Sequence, residues 1–294
     1  MHLRRFRAVI KVSVLASLLA GLWAPSAWAQ GVSVAPLRIL FDGRTRSATV
    51  FLSNRTPETA TYRIALVNRR MEENGAIVVA EEARPGEYFA DDLIRFSPRR
   101  VTIAPFGSQT IRLLMRRPHG DFPENVEFRT HLSIRSIPPT PRLQDLENLE
   151  KQTAEGKLTV KAVATIETVI PILLRLGDPQ ATVQIANPSL DLEGNGYPML
   201  QVDLLRGGER SVYGEMEVIH IAPDGQRTQI HYARGLAVYY PTPKRTLTIT
   251  LKKADKQMLQ SGQLLVRYTE TEEMRGDQQA ELLVQLGKEL AQVR

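Results

Sequence analysis

A reactive centre in this chain would have to be assembled from five scattered histidines, a few adjacent carboxylates and no cysteine. No two histidines stand at the spacing of zinc ligands, and no Gly-x-Ser-x-Gly turn or phosphate-cradling glycine loop occurs. Asp91-Asp92 and Glu81-Glu82 are sequence neighbours, and neighbours on a strand point to opposite faces, so they read as solvated charges rather than acid–base pairs. His131 falls on the polar side of an alternating strand and reads as a solvated or hydrogen-bonded ring. The sequence thus names no catalytic, cofactor-binding or metal-binding residue. A binding or assembly role takes precedence over catalysis.

The elements that would position binding residues are strands. From Gly31 onward, short apolar runs alternate with turn signals such as Asp42-Gly43, Glu73-Asn74-Gly75 and Pro105-Phe106-Gly107, the pattern of an all-β sandwich. Strands are expected over residues 31–40, 48–52, 62–67, 101–103, 111–115 and 128–137. In the last of these, Phe128, Thr130, Leu132, Ile134 and Ser136 share one face. The polar stretch from Pro138 to Lys157 reads as a long loop. After the strand-like run 158–176, Asp178-Pro179 breaks the pattern and a second series follows at 182–185, 201–205, 215–221, 246–251 and 264–268. The expected organisation is a signal peptide over 1–29, a first sandwich over 30–176 and a second over 177–294.

Arg4, Arg5, Arg7 and Lys11, the acid-free run Val12 to Ala24 and the small-x-small Ala27-Trp28-Ala29 have the layout of a secretory signal peptide cut after Ala29. Its removal takes four positive charges from a formal net charge of +6 and leaves +2, which withdraws most support for a nucleic-acid partner. The apolar run is shorter than the roughly 20 residues of a membrane span, so the mature chain is expected not to be membrane-embedded. An exported chain without cysteine holds itself together by core packing alone.

The most informative segment is 158–167. Its even positions, Leu158, Val160, Ala162, Ala164 and Ile166, are all apolar, whereas Thr159, Lys161, Thr165 and Glu167 on the other side are polar. That alternation gives a strand with one apolar face, which on pattern alone joins the domain's own core.

Several motifs, in order and spacing, resemble the periplasmic pilus chaperones of the chaperone-usher family. They are Gly31-Val32-Ser33-Val34 through Arg38, Phe41-Asp42-Gly43, Leu52-Ser53-Asn54, Phe96-x-Pro98, Pro105-Phe106-Gly107-Ser108-Gln109 with Arg112, and Phe122-Pro123 with Glu127 leading to Ile137-Pro138-Pro139. The match covers most of residues 31–175. The second half is similar more loosely, at Val183 to Asn187 with Pro188 and at Val266-Arg267-Tyr268, and Arg129-x-His131-Leu132 is similar to non-classical branches.

The resemblance implies two immunoglobulin-like sandwiches set at an angle, in the periplasm, with no cofactor. It implies a donor strand over 158–174 whose residues Leu158, Val160, Ala162, Ala164 and Ile166 complete a pilus subunit that lacks its own last strand, and delivery of that subunit to an outer-membrane usher. Arg38 matches the arginine that grips the subunit's terminal carboxylate. Glu127 and Arg175 match two members of an interdomain salt-bridge network, with Glu270 the choice for a third. The family's second basic anchor aligns with Pro171, and Lys161 and Arg175 stand as its candidate replacements. Pro171, without a backbone donor, should bend the strand or end its pairing. An exposed apolar strand also predicts a self-capping oligomer. The alternatives are a structural pilus component built from the same modules, and an exported sandwich hydrolase with convergent acids in a cleft.

Overall fold

In the computed structural model the described residues are 31–117, 122–138, 165–192 and 196–287. The signal peptide, the 138–157 loop beyond Pro138 and donor positions Leu158, Val160, Ala162 and Ala164 lie outside them.

The first half of the chain forms β1 (Val32–Ala35), β2 (Ile39–Phe41), β3 (Ser47–Asn54), β4 (Ala60–Val67), β5 (Arg69–Met71), β6 (Ile77–Val79), β7 (Ile94–Ser97), β8 (Arg100–Ile103), β9 (Ser108–Met115), β10 (Val126–Ile137) and β11 (Glu167–Leu176). Two sheets, ordered β1-β3-β9-β7 and β2-β11-β10-β4-β8, face each other, and β5-β6 is a separate hairpin. The expected single strand over 31–40 is in fact two. β1 pairs antiparallel with β3, and after Pro36 the chain crosses to the other sheet, where β2 pairs parallel with β11. Proline has no N–H to continue the first ladder, so the change of partner falls where the donor is missing.

The sandwich closes on alternating residues. Val50, Leu52, Ile111 and Leu113 from one sheet meet Ile64, Phe128, Leu132, Ile134, Ile170 and Ile172 from the other, all buried. A turn at Gly177 then leads into the second group: β12 (Ala181–Asp191), β13 (Met199–Gly208), β14 (Val212–Ile221), β15 (Arg227–Val238), β16 (Lys244–Thr250), β17 (Gln263–Glu270) and β18 (Gln279–Gln285). Their sheets, β12-β13-β16 and β15-β14-β17-β18, enclose a second core around Leu200, Val202, Met216, Val218, Val266 and Tyr268. Among the described residues no helix is long and apolar enough to cross a membrane.

Gly177 has φ +65°, and a Cβ there would collide with the Glu124 carbonyl and the Asn125 side chain, whose Oδ1 accepts the Asp178 N–H at 2.8 Å. Gly43 has φ +81° with open space around it. Both alanine variants carry the left-handed strain, and only Gly177→Ala adds a clash. Urea unfolding should therefore show Gly177→Ala costing more than Gly43→Ala, by at least about 1 kcal/mol.

Candidate functional site

Strand parity splits β10 into two faces. Phe128, Leu132 and Ile134 enter the first core, while Glu127, Arg129, His131 and Ser133 lie on the outer face, where polar groups would normally meet water. Here they are buried, because the second sandwich and the β5-β6 hairpin cover them. The covering contact has a small apolar centre of Met71, Leu173, Ala237, Tyr239 and Met274. Around it, Thr242 Oγ1 donates to the Met71 carbonyl at 2.8 Å, the Thr246 N–H to Glu73 at 2.7 Å, and Arg129 Nη1 to the Tyr240 carbonyl at 2.5 Å.

His131 is accordingly neither solvated nor fully hydrogen-bonded. It is 3% exposed, and its Nδ1 has no partner. Burial, followed by the charges of Arg129 and Arg69, pushes its pKa down to about 3, so the ring is neutral. His131 stands directly opposite Pro171 in the β10–β11 ladder. That ladder runs through Pro171 to Leu176, so the proline neither bends β11 away nor ends its pairing with β10. On the other side of β11 pairing does stop near it, since β2 is matched only to Ile172, Leu173 and Leu174. Among the described residues, the edge from Glu167 to Pro171 has β10 on one side and no strand partner on the other.

At the point where β2 closes that edge lies a cavity of about 460 Å³, walled by Leu37, Arg38, Arg69, His131, Pro171 and Tyr239, among others. The Arg38 guanidinium carbon lies 3.4 Å from the centre of the Tyr213 ring of the second sandwich, a stacked cation–π contact. Arg38 Nε and Arg69 Nε are buried without a hydrogen-bond partner. Arg69 also pairs with Glu167 at 3.1 Å, and Ser133 donates to the other oxygen of that carboxylate. Two permanently charged arginines thus line one cavity together with Glu167, whose carboxylate already pairs with Arg69. A guanidinium fork fits a small anion. Lys161 lies outside the described residues. Arg175 does not line this cavity.

Arg175 and Glu127 face each other across β10 and β11, with Nε to Oε2 at 3.0 Å, so this ion pair lies within the first sandwich. It reaches the second sandwich through neutral groups. Arg175 Nη1 and Nη2 donate to the carbonyls of Met274 and Ser211 at 2.8 and 3.2 Å, and the Ser211 N–H and hydroxyl both donate to Glu127. Glu270 is not part of that pair. Its two oxygens receive Arg210 Nη1 and Nη2 at 2.8 and 2.9 Å, a bidentate bond inside the second sandwich. Arg210 Nη1 and Arg175 Nη2 both donate to the Ser211 carbonyl, so Glu270 joins the network through Arg210 rather than through Arg175.

Ile166, the one described member of the donor face, is 42% exposed just before β11. Its N–H donates to Ser136 Oγ, and its carbonyl accepts the Ser136 N–H, each at 2.8 Å.

Sequence reasoning missed Arg69, Ser211, Arg210 and the buried cluster in which Glu87 receives both Arg70 and Arg129, the latter at 3.5 Å. The polar odd positions of β10 from Glu127 to Arg135 give the opposite signal, that of a face open to water.

No family model matches the chain, and no curated protein matches it by sequence. Solved structures similar to it include the Pseudomonas aeruginosa CupB2 chaperone, at 13% identity over 87% of this chain and 100% of that one, with a TM-score of 0.43. The E. coli chaperone DraB is similar at 10% identity over 87% and 97% of the two chains, with a TM-score of 0.44. A Salmonella enterica complex of SafA pilin with the SafB chaperone is similar at 13% identity over 87% and 97%, with a TM-score of 0.41. Many of the similar structures are chaperone-usher pilus assembly chaperones.

Proposed function

We propose that the chain is an exported, non-catalytic chaperone that receives pilus subunits along the open edge of β11, completes their fold with the strand 158–166, and hands them to an outer-membrane usher. The observation that carries this reading is the half-paired strand. From Glu167 to Pro171 no described strand pairs with that edge, and β2 closes it beside Arg38. A strand laid along that edge cannot pass β2, so its last residue would stop at the cavity of Arg38 and Arg69. A terminal carboxylate there meets two guanidinium groups whose Nε donors lack partners. Strand addition satisfies both edges at once and is a general mode of polypeptide recognition.

Arg69 takes the role that the sequence left open at Pro171. Release proceeds by exchange with the next subunit's strand and needs no nucleotide, in keeping with a sequence that carries no phosphate-cradling glycine loop.

The test is co-expression with a pilus subunit lacking its donor peptide, with soluble subunit as the readout. Arg38→Ala should lower recovery at least tenfold, since a charge-assisted hydrogen bond contributes about 1.5–3 kcal/mol. Ile166→Asp should do the same by removing an apolar contact of the donor face. Unchanged recovery with both variants would reject the site.

A further inference from the structure

The outer face that floors the cavity continues along β10, β4 and β8, and there it carries a feature the proposed function has not used. Arg135 stands directly opposite Arg63, and Arg63 directly opposite Arg100, in a row across three neighbouring strands. All three are exposed, and among the described residues none has an ion-pair partner. Glu167 begins the same row beside Arg135, but its carboxylate is occupied by Arg69 and Ser133. Like charges directly opposite on a sheet are destabilising. Arg63 also shares the wall of a neighbouring hollow of about 370 Å³ with Arg95 and Arg99, where Asp91 is the single acid.

Residues 31–150 contain no lysine, so all the basic side chains here are planar guanidinium forks suited to carboxylates. With strands about 4.8 Å apart, the row spans roughly 10 Å. It lies four residues, about 13 Å, along β10 from His131 at the cavity floor.

We propose that Arg135, Arg63 and Arg100 form a second contact for a polypeptide client and receive an acidic strip on its surface. This rests on the client reading above, because the row begins at Arg135 opposite Glu167, where the open edge of β11 starts, and the body of a client paired along that edge would lie beside this face. The repulsion within the row is relieved when carboxylates bind, so it favours the occupied state.

The probe is a fluorescent ten-residue peptide of alternating Glu and Thr, with a Lys-Thr peptide as control, followed by anisotropy on the purified protein at 50 and 300 mM salt. The acidic peptide should bind, the basic one should not, and binding should weaken with salt. Arg63→Gln should weaken it about tenfold and raise the melting temperature, since the middle charge of three is gone. Arg38→Ala should leave peptide binding unchanged while reducing subunit recovery, so the two readings fail separately. Peptide affinity unaffected by Arg63→Gln would overturn the proposal. So would a lower melting temperature for that variant, or binding confined to phosphatidylglycerol vesicles.

Discussion

Glu127→Gln should lower the melting temperature by roughly 6–20 °C, a loss of about 3–5 kcal/mol at the few degrees per kcal/mol of a chain this size. Glu127 is 1% exposed and receives Arg175 at 3.0 Å together with the Ser211 N–H and hydroxyl. The amide keeps the shape and removes the charge. Arg175, 6% exposed, is then an unpaired buried cation with only two carbonyls to hold it. Desolvation makes that state costly, whereas an apolar pair of similar volume has no charge to solvate. Glu127→Leu with Arg175→Met should therefore recover most of the loss in calorimetry.

Recovered stability need not mean that the two sandwiches keep their register. The double variant also deletes the bonds to Ser211 and Met274, which tie the first sandwich to the second. It should retain its melting temperature while its subunit recovery falls, because Arg38 stacks on Tyr213 of the second sandwich and the two must stay in register. A double variant as unstable as Glu127→Gln would show that packing, and not the unpaired charge, dominates.

How much of this was legible in the sequence depends on the range of the interaction. Strands such as Ala60–Val67, Val126–Ile137 and Val212–Ile221 announce themselves by period-two alternation, a local property. β2, β5, β6 and β7 have three or four residues each, too few to show a period, and in β15 two register shifts against β14 break the alternation. The Glu127–Arg175 contact was reachable only through family resemblance, since 48 residues separate the two. Glu270 could be named as an acidic member of the network but not given its partner, because nothing local shows that Arg210, 60 residues away, donates to it. Arg69 was invisible for a different reason. It becomes a cavity group only because β5 folds back under the second sandwich, and no spacing in the sequence encodes that.

Acid should destabilise the protein through His131, and the sign follows from its depressed pKa. The ring takes its proton near 6.5 in the unfolded chain and near 3 in the folded one. Above pH 6.5 it is neutral in both states and contributes no pH dependence. Between 6.5 and 3 the unfolded state binds the extra proton, so stability falls with pH by up to about 1.4 kcal/mol per unit. From pH 7 to 5 that amounts to about 2 kcal/mol from this one group. Burial also lowers the pKa of His231, so its contribution has the same sign. Urea unfolding of the wild type and of His131→Gln at both pH values isolates the term, because all other titrating groups are common to the two proteins. The loss on acidification should be smaller in the variant by about 2 kcal/mol. In the wild type, the His131 ring resonances should not titrate between pH 7 and 4. A His131 signal that titrates near 6.5 would mean that the ring reaches water, and the outer face of β10 would then be open to solvent rather than closed beneath the second sandwich.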